Sequence, residues 1–275
     1  MQINSPSKIS VLGQHLEVLH LANPKGTGAP DIVFLHEGLG SVRLWRDWPA
    51  QICQLLGCSA WVYSRQGYGQ SDPVADVRGP SRQVDGQRQG RLLPDYMHRE
   101  ALDVLPALLE ALDIRRPMLL GHSDGGTIAL LHASQFDVAG CVVMAPHVMV
   151  EDVSIQAIQA ARDAFGQGPL RQKLAAFHAD VEGAFWQWND VWLSEGFRPF
   201  DIRGDLHRIS APLLAIQGTD DPYGTMAQID DIARAVPHAQ LLKLAHCGHA
   251  PHRDQPDAVA QALQGFYAAL PPIKT

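Results

Sequence analysis

Short apolar runs alternate along this chain with longer amphipathic stretches. Residues 15–22 (HLEVLHLA) have strand-like composition, and residues 31–36 (DIVFLH) form a continuous apolar run of buried-strand length. Between positions 42 and 56, Leu44, Trp45, Trp48, Ile52, Leu55 and Leu56 recur at three- and four-residue steps, and Gly57 supplies a stop, so the spacing predicts one helix. The rhythm predicts further strands at 59–64, 117–121, 138–145, 212–218 and 240–244. It predicts helices at 96–112, just after Gly125, at 225–236 and at 256–270. Alternation of this kind places the chain in the α/β class, with a mostly parallel central sheet carrying helices on both faces.

Two stretches break the rhythm. Residues 74–94 lack periodicity of either kind and hold four arginines, Arg78, Arg82, Arg88 and Arg91, against two acids. They read as a solvated surface loop or, more sharply, as a mobile basic flap. Residues 149–208 carry eight of the chain's 19 aromatic side chains, with helix-like spacing at 155–165, 170–181 and 185–193. The expected organisation is therefore a core formed by 1–148 and 209–275, interrupted by a helical cap at 149–208. Most of the cap aromatics belong to its own core, with one or two lining an apolar pocket; Trp186 and Trp192 are the candidates for substrate contact.

Composition narrows the partners. The 22 basic and 29 acidic residues leave a net charge of −7 with histidine neutral, which invites neither nucleic acid nor an anionic membrane. Cys53, Cys58, Cys141 and Cys247 are too few and too scattered for a disulfide framework, so a reducing compartment is expected. The leading MQINSPSKISVLG has no charged segment running into an apolar one, and nowhere do 18 apolar residues follow one another. The expectation is a cytoplasmic protein.

The strongest chemical signal is LLGHSDGG at 119–126, where Gly121, Ser123 and Gly125 form G-x-S-x-G between a predicted strand and a predicted helix. A serine on such a turn is held in a strained backbone conformation that projects its hydroxyl, and the flanking glycines let neighbouring backbone pack closely. A serine hydroxyl is a weak nucleophile until a base takes its proton and a third group orients that base. Candidates follow in chain order: Asp220 and Asp221 after the strand at 212–218, then His246, His249 and His252 after the strand at 240–244. These loops follow the C-terminal ends of strands, where open α/β sheets place their sites.

With these residues in place the sequence resembles the α/β-hydrolase fold superfamily over nearly its whole length. The motifs that carry the resemblance are HEGLGS at 36–41, SRQGYGQSD at 64–72, GHSDGG at 121–126, GTDDP at 218–222 and CGHAPHRDQP at 247–256. The resemblance implies Ser123 as nucleophile, selects Asp221 as the acid and His249 as the base, and makes 149–208 the helical cap. It implies an oxyanion hole built from the amides of Gly38 and Asp124, with His36 orienting the first of these loops. The sequence departs from the family pattern at Glu37, where glycine is common, and at Asp124, where a larger apolar or amide residue is common. Two ionised carboxylates facing an oxyanion would oppose catalysis, so both are expected to point away and hydrogen-bond locally. Alternatively one is held protonated, or contacts a hydroxyl or amine of the substrate.

Around this set, His147 is placed either to touch substrate or to meet solvent, and His122 is expected to be a packed core histidine. Arg65 is expected to pair within its own turn, Asp72 to support that turn, and Trp45 and Trp48 to face the core. The histidines and cysteine of 246–252 match no common metal spacing, so neither metal nor other cofactor is expected. The reading is a serine hydrolase acting on a small-molecule carboxylic ester or related acyl compound. Alternatives on the same residues are a carbon–carbon bond hydrolase, a cofactor-free lyase and a thioesterase. The cap's six basic and nine acidic residues do not favour a coenzyme A ester. Dehalogenases and epoxide hydrolases carry aspartate where Ser123 stands. A ligand receptor using the fold without turnover is the rival from another class.

Overall fold

The computed structural model describes residues 2–3, 5–23, 30–84 and 87–271. Met1 and Asn4 of the leading stretch, and Asp85 and Gly86 of the 74–94 stretch, lie outside the described residues. In chain order the strands are β1 (Gln2–Ile3), β2 (Ser7–Val11), β3 (Gln14–Ala22), β4 (Ile32–Leu35), β5 (Ala60–Tyr63), β6 (Arg82–Val84), β7 (Gln87–Gln89), β8 (Met118–His122), β9 (Gly140–Met144), β10 (Leu213–Gly218) and β11 (Gln240–Leu244). The helices are α1 (Trp48–Leu56), α2 (Tyr96–Arg99), α3 (Leu105–Ala111), α4 (Asp124–Ala133), α5 (Asp152–Gln167), α6 (Leu170–Ala175), α7 (Val181–Trp192), α8 (Ala227–Ala235), α9 (Pro251–Asp254) and α10 (Pro256–Ala268).

Among the described residues nine strands join one sheet, in the order β1-β3-β5-β4-β8-β9-β10-β11 with β2 paired to β3. From β5 to β11 all pairs are parallel, while β1, β2 and β3 add an antiparallel edge. Both faces are covered, so the central strands read as continuous apolar runs rather than alternating ones. Alternate residues still sort to two cores. Val33, Leu35, Leu119, Cys141 and Val143 meet α3, α4 and the cap, whereas Ile32, Phe34, Leu120, Val142 and Met144 meet α1 and α10.

Several predicted elements change at their edges, each for a local reason. The helix expected at 42–56 is a 3-10 turn at Arg43–Trp45 followed by α1, because Arg46 turns to φ 55° and Pro49 is tolerated only in a first turn. The apolar face survives the break: Trp45 and Trp48 stack at 5.5 Å and both meet Phe34. The helix at 96–112 passes through a π-helical segment, Glu100–Val104, because Pro106 lacks an N–H and crowds the carbonyl one turn back. The helix expected at 170–181 stops at Ala175; Asp180 instead caps α7, accepting from the Gly183 amide at 2.9 Å. Strand β2 was not expected; it closes on β3 through Leu12 and Gly13, both at positive φ, the geometry of a tight hairpin.

The 74–94 stretch is not a free solvated loop. It carries the hairpin β6–β7 and docks on the cap: Arg78 pairs with Asp190 at 2.7 Å and lies over the Trp186 ring, and Arg88 donates to Gln187 at 2.8 Å. The inserted helices α5, α6 and α7 leave and rejoin the core through a bridge between Met149 and Asp201, flanked by Val150 N to Phe200 O and Ile202 N to Val148 O. No helix of the described residues is long and apolar enough to cross a membrane.

Candidate active site

Parallel strands bring their C-terminal ends to one edge, and the polar residues of interest follow those ends in turn. Glu37 and Gly38 follow β4, Arg65 follows β5, Ser123 follows β8, His147 follows β9, Asp221 follows β10 and His249 follows β11. Ser123, Asp124, Gly38, Glu37, His147, Trp192 and His249 line one pocket of about 100 Å³. Wider grooves lie elsewhere on the surface, one of about 610 Å³ beside Arg78, Arg91 and Arg162, but its lining holds no histidine or cysteine among the described residues.

Ser123 sits between β8 and α4 at φ 53°, ψ −119°, a conformation unfavourable for any side chain except glycine's single hydrogen. Close backbone approach requires the glycines around it. A Cβ on Gly121 would lie 2.1 Å from the Gly125 carbonyl oxygen, and one on Gly125 would lie 2.1 Å from that of Leu35. Neither neighbour is a flexible side chain tip, so Gly125→Ala is expected to lower the unfolding free energy by about 1–3 kcal/mol in urea titrations. An unchanged midpoint would mean that the β8–α4 junction is looser than it stands.

The histidine and the acid meet directly. His249 Nδ1 lies 2.8 and 2.9 Å from the two carboxylate oxygens of Asp221, which also accept from Gln217 Nε2 at 2.7 Å and the Tyr223 amide at 2.8 Å. Burial works against the Asp221 charge, but His249 and the Tyr223 amide outweigh it and hold the carboxyl below its ordinary value. Asp220, the competing acid, is exposed and lies 3.9 Å from exposed His246. With Nδ1 committed to Asp221, Nε2 is the nitrogen left for chemistry; Ser123 Oγ has no hydrogen-bond partner among the described residues.

The loop after β4 is held by its carbonyl. The Glu37 oxygen accepts from His36 Nδ1 at 2.6 Å, Arg65 Nη2 at 3.0 Å and the Gly40 amide at 3.0 Å. Since that oxygen and the Gly38 N–H belong to one trans peptide and point oppositely, fixing the first fixes the second. His36 donates through Nδ1 and accepts the Arg65 amide at Nε2, 3.0 Å away, so it is neutral; burial, then the charge of Arg65, holds its pKa well below the ordinary value.

Both carboxylates find local partners. Asp124, 1% exposed, accepts from Tyr96 Oη at 2.6 Å and lies 3.5 Å from Arg65 Nη1. Arg65 therefore pairs across the sheet edge rather than within its own turn, a correction that follows from burial: at 3% exposure its charge needs an equally buried anion. Asp72 accepts from the His15 amide at 2.9 Å and so braces the β2–β3 hairpin as well as its own loop. The half-buried Glu37 carboxylate lies 3.6 Å from His122 Nδ1 and 4.0 Å from Arg253. Burial disfavours its charge, yet His122, His36 and Arg253 prevail and hold the carboxyl well below its usual range. His122 is indeed packed in the core, with Nε2 donating to the His249 carbonyl at 2.6 Å.

The apolar walls are Leu39, Ile158, Trp188, Trp192 and Tyr223. Trp186, expected at the pocket, is elsewhere: its N–H donates to Glu182 at 2.9 Å and its ring packs on Phe165 and Phe185. Trp188 takes the wall position instead. Helical spacing contained that signal, since 188 and 192 share a face and 186 does not. Among the described residues no group of three His, Cys, Asp or Glu could hold a metal ion.

Two buried histidines add a pH dependence. Burial, and next the charge of His249, depresses His147 to about 3, and burial, and next His122, depresses His252 to about 3. Unfolding frees each to protonate near pH 6.5, so the stability gained by keeping them neutral is complete above about 6.5 and is lost as pH falls toward 3. The lowered carboxylates Glu37 and Asp221 act in the same direction, at more acid pH. Urea unfolding is expected to show a loss of up to about 1.4 kcal/mol per pH unit from each histidine below pH 6.5. The slope should shrink in His252→Gln, and a flat profile would contradict the buried neutral state.

The profile of the alpha/beta hydrolase family matches residues 32–262. The pimeloyl-(acyl-carrier protein) methyl ester esterase of Stenotrophomonas maltophilia is 40% identical over 106 residues, a match spanning 38% of this chain and 38% of that protein. Esterase YbfF of Escherichia coli is 27% identical over 179 residues, spanning 58% of this chain and 70% of that one. The crystal structure of the enol-lactonase from Burkholderia xenovorans LB400 superposes with a TM-score of 0.70 at 19% identity, covering 95% of this chain and 100% of that chain, a likeness of fold.

Proposed function

Because the chain belongs to the alpha/beta hydrolase family, we propose that it is a serine esterase for small carboxylic esters, with Ser123, His249 and Asp221 as its catalytic residues. The observation that carries the reading is that His249, held from behind by Asp221 at 2.8 Å, lines one pocket with the strained Ser123 and with Gly38. Ser123 Oγ attacks the ester carbonyl while His249 Nε2 takes its proton; Asp221 orients the imidazole and stabilises the cation that forms. The amides of Gly38 and Asp124 stabilise the oxyanion. His249 then protonates the departing alkoxide, water attacks the acyl-enzyme with its proton passing to His249, and the serine is regenerated.

Pocket size and charge support the substrate class. About 100 Å³ is less than the ~150 Å³ that admits benzene, so short acyl groups fit best. The Arg65–Asp124 and His249–Asp221 pairs are each compensated internally, and the ionised Glu37, turned toward His122 and Arg253, leaves no free cation among the described residues lining the pocket, which favours uncharged esters over carboxylates. The proposed place of action is the cytoplasm, where the four free, buried cysteines would stay reduced.

The test is fluorophosphonate labelling with peptide mapping, followed by a panel of short- and long-chain esters, an acyl thioester and a vinylogous diketone. Labelling at Ser123 with the fastest turnover on short esters is expected. Labelling at another residue would overturn the mechanism, and preferential diketone or thioester cleavage would move the substrate class.

A further inference from the structure

We propose that the indole N–H of Trp188 is a third hydrogen-bond donor to the acyl oxygen of the substrate, beside the amides of Gly38 and Asp124. This deepens the esterase reading and rests on it. Helix α7 carries three indoles. Trp186 Nε1 donates to Glu182 at 2.9 Å, and Trp192 Nε1 donates to Tyr96 Oη at 3.0 Å. Trp188 Nε1 has no partner among the described residues, although the side chain is only 6% exposed. Unlike Trp45 Nε1, which is sealed in the core, the Trp188 N–H is not closed off, and the open space that this residue lines is the pocket holding Ser123, where the donor is free to meet an acceptor.

Its position selects the acceptor. A Cβ built on Gly38 would lie 2.1 Å from Trp188 Nε1, so the indole nitrogen rests against the Cα of the residue whose amide serves the oxyanion. The ring is held there from both sides of the helix. Asn189 Nδ2 donates to the Ile158 carbonyl at 3.1 Å, Gln187 Nε2 to the Gln66 carbonyl at 3.3 Å, and the Phe185 ring meets Trp188 edge-on at 6.0 Å. A tetrahedral oxyanion has three lone pairs, and two backbone amides leave one to be satisfied. A fixed donor with no competing partner gains most where the oxygen carries full charge, so it acts on the transition state more than on the bound ester.

The experiment compares the unmodified protein with Trp188→Phe, which keeps an aromatic wall and deletes the donor. On an acetyl ester, kcat is expected to fall about 10- to 100-fold, with KM changed by less than about threefold. A trifluoromethyl ketone supplies the second readout. Ser123 Oγ bonds to its carbonyl carbon, the hydroxyl proton passes to His249, and the former carbonyl oxygen carries the negative charge. Its inhibition should weaken by the same factor as kcat, while the matching methyl ketone binds as before. In the unmodified protein with ¹⁵N-labelled tryptophan, the Trp188 indole proton should move downfield as the adduct forms, a measurement independent of how well the variant folds.

Unchanged kcat, an equal weakening of both ketones, or an unmoved indole resonance would each overturn the proposal. Fluorophosphonate labelling of the unmodified protein separates the two levels. If Ser123 is labelled and Trp188→Phe behaves as the unmodified protein does, the indole's role falls alone; if Ser123 is not labelled, both fall.

Discussion

Ser123→Ala is expected to reduce kcat on a short activated ester by about 10⁴- to 10⁶-fold, leaving the residual rate that an oxyanion hole and a positioned histidine give an attacking water. The loss is large because every covalent step passes through the one oxygen removed. Stability should hold within about 0.5 kcal/mol, because that oxygen has no hydrogen-bond partner among the described residues and alanine keeps the same φ of 53°. Ser123→Gly is the informative companion: it should abolish turnover equally while gaining about 1 kcal/mol or more, since glycine tolerates the strained backbone. Hydrolysis surviving in Ser123→Ala would remove the nucleophile from the mechanism. A lower melting temperature in Ser123→Gly would remove the strain argument.

Arg65→Met should cost about 3–5 kcal/mol of unfolding free energy, the largest stability change expected at a polar position here. The guanidinium is 3% exposed and serves Asp124 at 3.5 Å, the Glu37 carbonyl at 3.0 Å and the Tyr68 ring at 4.9 Å. Methionine fills much of the volume but leaves the Asp124 carboxylate buried with only Tyr96 as a partner. The double variant Arg65→Met, Asp124→Asn should recover part of the loss, because no unpaired charge then remains. Activity should fall as well, since the Gly38 amide loses one of the three donors that hold its peptide. Urea unfolding with parallel ester kinetics reads both effects, and a cost below about 1 kcal/mol would show that the pair is not the brace its burial implies.

The candidate site divides by the range of the signals that specify it. The turn around Ser123 is readable because its requirements are local: Gly121 and Gly125 must omit Cβ atoms where two backbones touch, and a strand and a helix must flank them. Asp221 and His249 are readable from their loops together with the family resemblance, and the structure brings them to 2.8 Å. The partner of Arg65 is another matter. Nothing near position 65 indicates Asp124, 59 residues away, because the pair exists only where the ends of β5 and β8 converge. The 74–94 stretch failed as a local reading for the same reason. Two of its arginines, Arg78 and Arg88, look solvated in sequence and become anchors only when α7 offers Asp190 and Gln187, while Arg82 and Arg91 bond within the stretch itself.

The sequence by itself determined the α/β class, the two-faced burial of the strands, the place of the inserted helices and the chain order of the candidate nucleophile, acid and histidine. Each is encoded in periodicity, turn chemistry or motif spacing over a few residues. Tertiary structure alone decided that Trp188 and not Trp186 walls the pocket, that Glu37 and Asp124 have cationic neighbours, and that a peptide held by His36 and Arg65 aims the Gly38 amide. Those outcomes depend on which buried polar groups meet after the strands assemble. A buried charge or donor takes its partner from whatever the fold brings within about 3 Å, and sequence distance sets no limit on that choice.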